Sequence, residues 1–376
     1  MRIAEFTPEI GDAEIARVVG SMKANWLTEG EKTAELEKLL ANYFGCRRVV
    51  MMPNGTLAIF AALKILGIGE GDEVLVPDFT FFGTASAVVL AGAVPVFVDV
   101  DPRDGNMCVR AAEASLSQRT RAVLPVHMYG QAADMAALTA FAARHGLKLI
   151  EDAAQGMGVT FGDRHVGTFG EIGCISFFAD KTMTTGEGGA LIVNRESLIE
   201  DCLYFKNQGR LRRGSFVCDR MGYNFRITDV QSAVGLAQFE RVEETIRRKR
   251  ALREQYYELL KHCPGVRLPE ENGFGRVVPF RVNIQVDDPA ELSRHLEARG
   301  VATRRYFYPL HLQPGFKGYQ TVMRQRPVNS VALFESGLML PSGLNLTTQE
   351  IEFVCDNIVE FQSEQSCKGR SLAAGV

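Results

Sequence analysis

The sequence predicts an α/β fold, with a large domain built on a mostly parallel sheet and a smaller carboxyl-terminal α+β domain. Between about residues 48 and 195, short apolar runs alternate with helical patterns. These runs are continuously apolar rather than alternating in polarity, which is typical of parallel strands covered by helices on both faces. The chain has 376 residues, enough for two or three domains.

The predicted elements follow one another in a regular order. Strand and helix pairs read RRVVMM then TLAIFAALKILG, EVLVP then a helix over 80–91, VPVFVDV then VRAAEASLSQ, and AVLPVHMYG then ADMAALTAFAARHG. The strands KLIEDAA, CISFF and GALIVN come next. Residues 79–98 are uncharged and long enough to span a bilayer, but Gly92 and Pro95 interrupt them. We therefore interpret them as a buried helix followed by a buried strand.

A charged helical pattern from about Asp229 to Leu260 predicts a long helix that leads out of the large domain. The segments VVPFRVNIQV, AELSRHLEARG and QEIEFVCDNIVEFQ then predict a strand and two helices of a second unit. We expect a large domain over 1–245 and a small domain over 246–365. The segment SCKGRSLAAGV, over 366–376, has no periodicity and is expected to be a disordered tail.

Composition and charge argue against several classes of protein. The net charge is −3 and no block of five or six like charges occurs, so binding to nucleic acid or to an anionic membrane is not expected. Eight cysteines stand singly, without a CxxC pair or zinc-ligand spacing, which favours free thiols and no metal site. The amino-terminal segment MRIAEFTPEIGD carries charges where a secretory signal needs an apolar run. We expect a cytoplasmic protein.

Two ionisable residues follow predicted strands, where ligands of such sheets collect. Asp152 ends the strand KLIE, a place where a carboxylate needs a positive partner. Lys181 follows the next strand and precedes a glycine-rich turn. A lysine between apolar strands can lose its proton by desolvation and become a nucleophile. A lone lysine at a strand end is more often a solvated surface residue.

A third feature of the sequence favours a functional role for Asp152 and Lys181. Gly55 and Thr56 stand at the predicted start of a helix, where backbone N–H groups and the helix dipole favour a phosphate. Alone, Asn-Gly-Thr is an ordinary helix cap. Together with Asp152 and Lys181, it provides the three groups that pyridoxal phosphate requires: an anion cradle, a carboxylate for the pyridine nitrogen and an amine for the Schiff base.

The chain also resembles the DegT/DnrJ/StrS family of sugar aminotransferases, which have the type I fold of pyridoxal-phosphate enzymes. The similar motifs are NGTLAIFAAL, PDFTFFGTASAV, VHMYGQAADM, EDAAQGMG, SFFADKTMTTGEGG and GYNFRITDVQSAVGLAQ, in the family's order from about residue 10 to 360. FKNQG, FYPLHLQP and DKTMTTGEGG are most similar to the GDP-perosamine synthase branch. That branch aminates C4 of a GDP-linked 4-keto-6-deoxy sugar. Asp180 departs from it, because asparagine is commoner there.

The resemblance implies roles for individual residues. Lys181 matches the lysine of the Schiff base, Asp152 the partner of the pyridine nitrogen, and Gln155 a residue near the ring hydroxyl. Phe81 matches the aromatic residue that stacks on the cofactor ring, although Phe79 and Phe82 lie close enough in sequence to be confused with it.

Further matches concern the phosphate and the substrate. Ser176 matches a phosphate ligand beside the start of the helix at Gly55. Asn224 matches an asparagine that reaches the phosphate from the other subunit, which implies a homodimer with a shared active site. His311, Tyr308, Glu187 and Trp26 are weaker candidates for the substrate side or for orienting the lysine loop.

The resemblance implies transfer of an amino group from L-glutamate to a nucleotide-linked keto-sugar, most simply C4 of GDP-4-keto-6-deoxymannose. A UDP or dTDP keto-sugar is an alternative substrate. A cofactor-dependent sugar dehydratase is a second alternative, but similar members of that branch carry histidine in place of Lys181. A non-catalytic regulator is a third, against which the intact Lys181, Asp152 and Ser176 argue. A nicotinamide-dependent oxidoreductase would need a G-x-G-x-x-G turn, which NGTLAIF lacks.

Overall fold

The computed structural model of the protein describes residues 2–210 and 216–373, without the side chains of Thr321 and of residues 366–373. The strands are β1 (Arg48–Met52), β2 (Glu73–Pro77), β3 (Val94–Val98), β4 (Thr120–Val123), β5 (Lys148–Asp152), β6 (Thr160–Phe161), β7 (Arg164–His165), β8 (Ile172–Ser176), β9 (Gly189–Val193), β10 (Val282–Gln285), β11 (Arg304–Arg305) and β12 (Gly337–Leu340). The α-helices are α1 (Asp12–Lys23), α2 (Glu31–Phe44), α3 (Gly55–Ile65), α4 (Phe82–Leu90), α5 (Val109–Ala114), α6 (Met135–His145), α7 (Ile199–Lys206), α8 (Asp229–Glu240), α9 (Val242–Leu260), α10 (Pro289–Ala298), α11 (Asn329–Ser336) and α12 (Thr348–Ala373).

The larger sheet of the described residues has seven strands in the order β1-β9-β8-β5-β4-β2-β3. Neighbouring strands run parallel except where β9 pairs with β1 and β8. Helices cover both faces, with α3 and α4 packed into the core on one side and α2 and α8 into the core on the other. The predicted α/β class and mostly parallel sheet are therefore confirmed.

A second, antiparallel sheet has the order β10-β12-β11. Its core includes apolar side chains of α9, α10 and α12, among them Tyr256, Leu292 and Ile358. The predicted strand VVPFRVNIQV is shorter than expected, because only Val282–Gln285 pairs in the sheet.

The proposed division at residues 245 and 246 falls inside α9, which is continuous. Two 3₁₀ segments beyond it, Leu310–Leu312 and Pro314–Val322, lie close to the large sheet, since Leu310 and Phe316 belong to the core that contains α3 and α4. The domain boundaries therefore remain a proposal. The expected tail over 366–376 falls where only the backbone of α12 to Ala373, and nothing beyond it, is described.

The predicted long helix is in fact two helices, α8 and α9, that meet at Arg241. Arg241 leaves the helical region, with φ −115° and ψ 14°. Its guanidinium group donates to the carboxylate of Glu14 at 2.7 Å and to the carbonyl of Glu9 at 2.6 Å. A tertiary contact with the amino-terminal segment thus accompanies the break, and no helical periodicity could reveal it.

The apolar stretch over 79–98 contains α4 and β3, as interpreted from the sequence. Within the part of the chain that the structure describes, no helix combines the length and the hydrophobicity needed to cross a membrane.

Candidate active site

A cavity of about 550 Å³ lies at the carboxyl ends of β2, β5 and β8. Parallel strands end at one edge of a sheet, and the antiparallel β9 returns from a loop at that same edge. Seven of the eight predicted site residues line the cavity: Gly55, Thr56, Phe81, Asp152, Gln155, Ser176 and Lys181. The fold therefore brings together residues that lie up to 126 positions apart between Gly55 and Lys181.

Asp152 ends β5 and is buried. One carboxylate oxygen accepts a hydrogen bond from the hydroxyl of Thr84 at 2.7 Å, and the other accepts the backbone N–H of Ala154 at 3.0 Å. Burial raises the pKa of this carboxyl, while these bonds and the charge of Lys181 lower it. A protonated ring nitrogen in the cavity would be a counterion that favours the carboxylate form.

Lys181 lies in the loop between β8 and β9. Its Nζ is 3.5 Å from a carboxylate oxygen of Asp180 and 4.2 Å from the ring centre of Phe280. Burial lowers the pKa of the Lys181 amine, and the carboxylate of Asp180 opposes that shift. The desolvation expected from the sequence is thus present, next to an acid that the sequence reasoning did not weigh.

The start of α3 forms one wall of the cavity. The side chain of Asn54 caps the helix by accepting the N–H of Leu57 at 2.8 Å. A Cβ on Gly55 would lie 3.0 Å from the Cβ of Ser176, so glycine allows the helix start to approach the end of β8. The Ser176 hydroxyl accepts the N–H of Phe178 at 3.3 Å. Such a helix start, with a hydroxyl beside it, can bind an anion.

The structure distinguishes the three neighbouring phenylalanines. Phe79 is buried in the core, and Phe82 stacks on Phe316 with ring centres 4.5 Å apart. Phe81 lines the cavity and is 59% exposed, so its ring is available to a planar ligand. The carboxamide oxygen of Gln155 accepts the backbone N–H of Tyr129 at 2.8 Å, which fixes this side chain at the cavity wall.

Other candidates lie elsewhere. Asn224 is exposed outside the cavity lining and forms a β-bridge with Asn207. His311 is buried, and its Nδ1 lies 2.7 Å from the carboxylate of Asp78, which is a structural contact outside the cavity. Glu187 is an exposed residue of the lining. Tyr308 and Trp26 are partly exposed and also lie outside the lining.

Several cavity residues were missed by the sequence reasoning. Thr84 offered a weak signal in the sequence, because it is a polar residue near the start of a largely apolar predicted helix. In the structure its hydroxyl lies 3.1 Å from that of Thr80. Glu5, Arg281 and Arg304 also line the cavity, but they come from the amino terminus and from the second sheet region. No spacing in the sequence connects them to Lys181.

The residues present fit pyridoxal phosphate on three observations. Asp152 is a buried carboxylate that lacks a fixed cationic partner within 4 Å in the described residues. The start of α3 is held against Ser176 at a position where a side chain on Gly55 would intrude. Lys181, an amine with a lowered pKa, lines the same cavity. Anion site, ring partner and nucleophile therefore lie around one space.

Several known proteins are similar to this chain in sequence and in fold. A sequence profile of the DegT/DnrJ/EryC1/StrS aminotransferase family matches residues 8–359. GDP-perosamine synthase of Escherichia coli O157:H7 is 33% identical over 96% of this chain and 99% of its own length. UDP-2-acetamido-2-deoxy-3-oxo-D-glucuronate aminotransferase of Pseudomonas aeruginosa is 33% identical over 92% of this chain and 94% of its own. The crystal structure of a DegT DnrJ EryC1 StrS aminotransferase from Brucella abortus is 32% identical, with a TM-score of 0.88 over 93% of this chain and 95% of that one.

Proposed function

Because the chain belongs to the DegT/DnrJ/EryC1/StrS aminotransferase family, we propose that it transfers the amino group of L-glutamate to the keto group of a nucleotide-linked deoxy sugar. The protein is a pyridoxal-phosphate-dependent transaminase with an α/β fold. The observation that supports the site is that Lys181, Asp152 and the start of α3 line one cavity.

When bound, pyridoxal phosphate supplies an electron sink for the carbanion formed at the amino carbon. The Nζ of Lys181 would hold the cofactor in the resting enzyme. Once the amine is free, its Nζ would take the α-proton of glutamate and later donate a proton to the sugar carbon that becomes the amine carbon. Asp152 would accept the ring N–H, Phe81 would stack on the ring, and Ser176 with the α3 start would bind the phosphate.

For the sugar, we propose C4 of GDP-4-keto-6-deoxymannose. The similarity to GDP-perosamine synthase over nearly the whole chain supports this substrate. An aminotransferase named for a UDP-linked sugar has the same identity to this chain, which makes a UDP sugar the alternative to test. A panel of GDP-, UDP- and dTDP-linked keto-sugars, incubated with glutamate, decides between them by mass spectrometry of the amine product. We expect product from the GDP sugar, and product only from a UDP or dTDP sugar would contradict the proposal.

We also propose that the active site is shared between two copies of the chain. Asn224 is exposed, and the same stretch of chain contains Phe216 and Met221, which are 96% and 81% exposed. Burial of such exposed apolar side chains under a partner is energetically favourable. A second copy of the chain is the partner that would bring Asn224 to a neighbouring phosphate site.

The catalytic role of Lys181 is tested with the Lys181→Ala variant. We expect the purified wild-type protein to show visible absorbance that glutamate abolishes, and the variant to show neither this absorbance nor turnover. Lys261→Ala, which removes an exposed lysine paired with Glu258, serves as the control and should behave like wild type. A variant that still turns over would contradict the proposal. Cofactor absorbance that glutamate does not change would favour a dehydratase or a regulator.

A further inference from the structure

Several ionisable side chains near Lys181 are not used by the reaction proposed above. We call this group the Lys181 charge cluster; its members are Glu5, Asp180, Lys249, Arg281 and Arg304. They come from the amino terminus, the lysine loop, α9 and the second sheet region. Four of them, all but Lys249, also line the active-site cavity.

Asp180 is an unfavourable neighbour for a nucleophilic amine. One of its carboxylate oxygens is 3.5 Å from the Nζ of Lys181. A negative charge at this distance stabilises the ammonium form, which has no free electron pair. The carboxylate raises the pKa of Lys181, against the effect of burial. A positive charge bonded to Asp180 would weaken its effect on Lys181 and add to the effect of burial.

Arg281 is placed to do so. It is only 3% exposed, and it donates to the second carboxylate oxygen of Asp180 at 2.8 Å. Its guanidinium carbon lies 4.5 Å from the ring centre of Phe280, and the Nζ of Lys181 lies 4.2 Å from the same ring centre. The two cations are therefore neighbours of one aromatic ring and of one carboxylate. An arginine remains charged at any pH relevant to the reaction.

We propose that Arg281 is a positioning residue whose permanent charge neutralises Asp180, so that the amine of Lys181 can be uncharged and nucleophilic beside a carboxylate. This inference rests on the proposed function, because it assigns Lys181 as the reacting amine. It also explains how the chain accommodates an aspartate where the motif more often has asparagine.

Other charges reach Lys181 from the elements around it. Asp152 acts from the end of β5 and raises the pKa of the amine, whereas Arg281 lowers it. Lys249, on α9, donates to the carbonyl of Phe280 at 3.3 Å. The carboxylate oxygens of Glu5 lie 3.6 Å from the Nε of Arg281 and 2.9 Å from a terminal nitrogen of Arg304, so Glu5 partly neutralises the charge of both arginines. Arg281 is the member that bonds directly to Asp180.

The test measures the reactivity of Lys181 in the full-length protein after removal of its cofactor. Wild type, Arg281→Met, Asp180→Asn and the double variant are treated with acetic anhydride at a series of pH values, and mass spectrometry quantifies acetylation of Lys181. We expect Arg281→Met to move the reactivity midpoint upward by roughly one pH unit, since close opposite charges shift amines by about that much. Asp180→Asn in the Arg281→Met background should restore the wild-type midpoint. Arg281→Lys retains the positive charge and should have the wild-type midpoint.

Arg305→Met is the matched control, because Arg305 also lies over an aromatic ring, that of Phe334, but outside the cluster. Its midpoint should equal that of wild type. An unchanged midpoint in Arg281→Met overturns the proposal, as does a shift that Asp180→Asn fails to reverse. If Arg281→Met does not fold, as judged by circular dichroism, Arg281→Gln replaces it. The measurement does not depend on turnover, so its failure is distinguishable from failure of the aminotransferase assignment.

Discussion

Gly55 has a steric role that a single substitution can test. The missing side chain allows α3 to start in contact with Ser176. Gly55→Ala places a methyl group 3.0 Å from the Ser176 Cβ, so the helix start must move away from the cavity. We expect weaker binding of pyridoxal phosphate, by on the order of tenfold, since a lost anion contact costs about 1–2 kcal/mol. Fluorescence titration of the cofactor-free protein measures this affinity.

A second substitution provides the control for that experiment. Ser176→Gly in the Gly55→Ala background removes the clashing group, although it also removes a hydroxyl. If steric contact is the cause, the double variant binds the cofactor at least as well as Gly55→Ala. The single variant Ser176→Gly is measured as well. If the double variant loses the sum of the binding free energies lost by the two single variants, Gly55 acts in another way.

We expect Lys249 to make the stability of the protein depend on pH. Burial lowers the pKa of its amine to about 7, whereas an unfolded chain has a lysine pKa of about 10.4. Between these values the unfolded chain binds a proton that the folded chain lacks, so this residue lowers stability as the pH falls from about 10 to 7. Lys249→Met should therefore raise the free energy of unfolding by roughly 4 kcal/mol at pH 7 and by roughly 1 kcal/mol at pH 9.5.

Urea unfolding at both pH values measures this difference. Lys261→Met is a suitable control, because Lys261 is an exposed lysine paired with Glu258. It should change stability little and equally at the two pH values. A gain in stability of Lys249→Met that is as large at pH 9.5 as at pH 7 would contradict the lowered pKa of Lys249.

At the scale of elements, α2 depends on a residue from a distant helix. The residue before α2 is Gly30, which has no side chain to cap it. Asp229, the first residue of α8, accepts the N–H groups of Gly30, Lys32 and Thr33 at 2.7, 3.2 and 3.0 Å. It also accepts the hydroxyl of Thr33 at 2.7 Å. One buried carboxylate therefore joins the start of α2 to α8.

Asp229→Ala should lower the free energy of unfolding by about 2–3 kcal/mol, because three helix N–H groups lose their acceptor in a buried place. Asp134→Ala provides the comparison. Asp134 caps α6 through a single bond to the N–H of Ala137, and its loss should cost about 1 kcal/mol. Thermal and urea unfolding measure both. Equal costs in the two variants would mean that Asp229 acts as an ordinary local cap.

The elements also show how far sequence patterns reach. The strands of the large sheet were predictable because each is a short apolar run between turns; β3 begins where the run VPVFVDV does and ends two residues before it. Asp152 and Lys181 were predictable as candidate site residues because ligands of such sheets bind at the carboxyl ends of the strands. The break at Arg241 and the position of Arg281 were not predictable, since both depend on contacts between segments far apart in the chain.

At the scale of the whole molecule, the described chain assembles its cavity from three regions. The large sheet contributes Asp152, Ser176 and the lysine loop, while the second sheet region contributes Arg281 and the amino terminus contributes Glu5. Relative movement of these regions would separate Arg281 from Asp180. We therefore expect cofactor-bound protein to be more resistant than the cofactor-free form to proteolysis in the segments that join the two sheets, which limited trypsin digestion measures.

The proposed sharing of the site between subunits predicts complementation. Lys181→Ala and Asn224→Ala proteins should each have little activity alone. In a mixed dimer, one site would combine the intact Lys181 of one chain with the intact Asn224 of the other, while the second site would carry both changes. Random exchange makes half of the dimers mixed, so activity should recover to roughly a quarter of wild type. A mixture that stays inactive, although mass spectrometry detects mixed dimers, would mean that each chain forms its site alone.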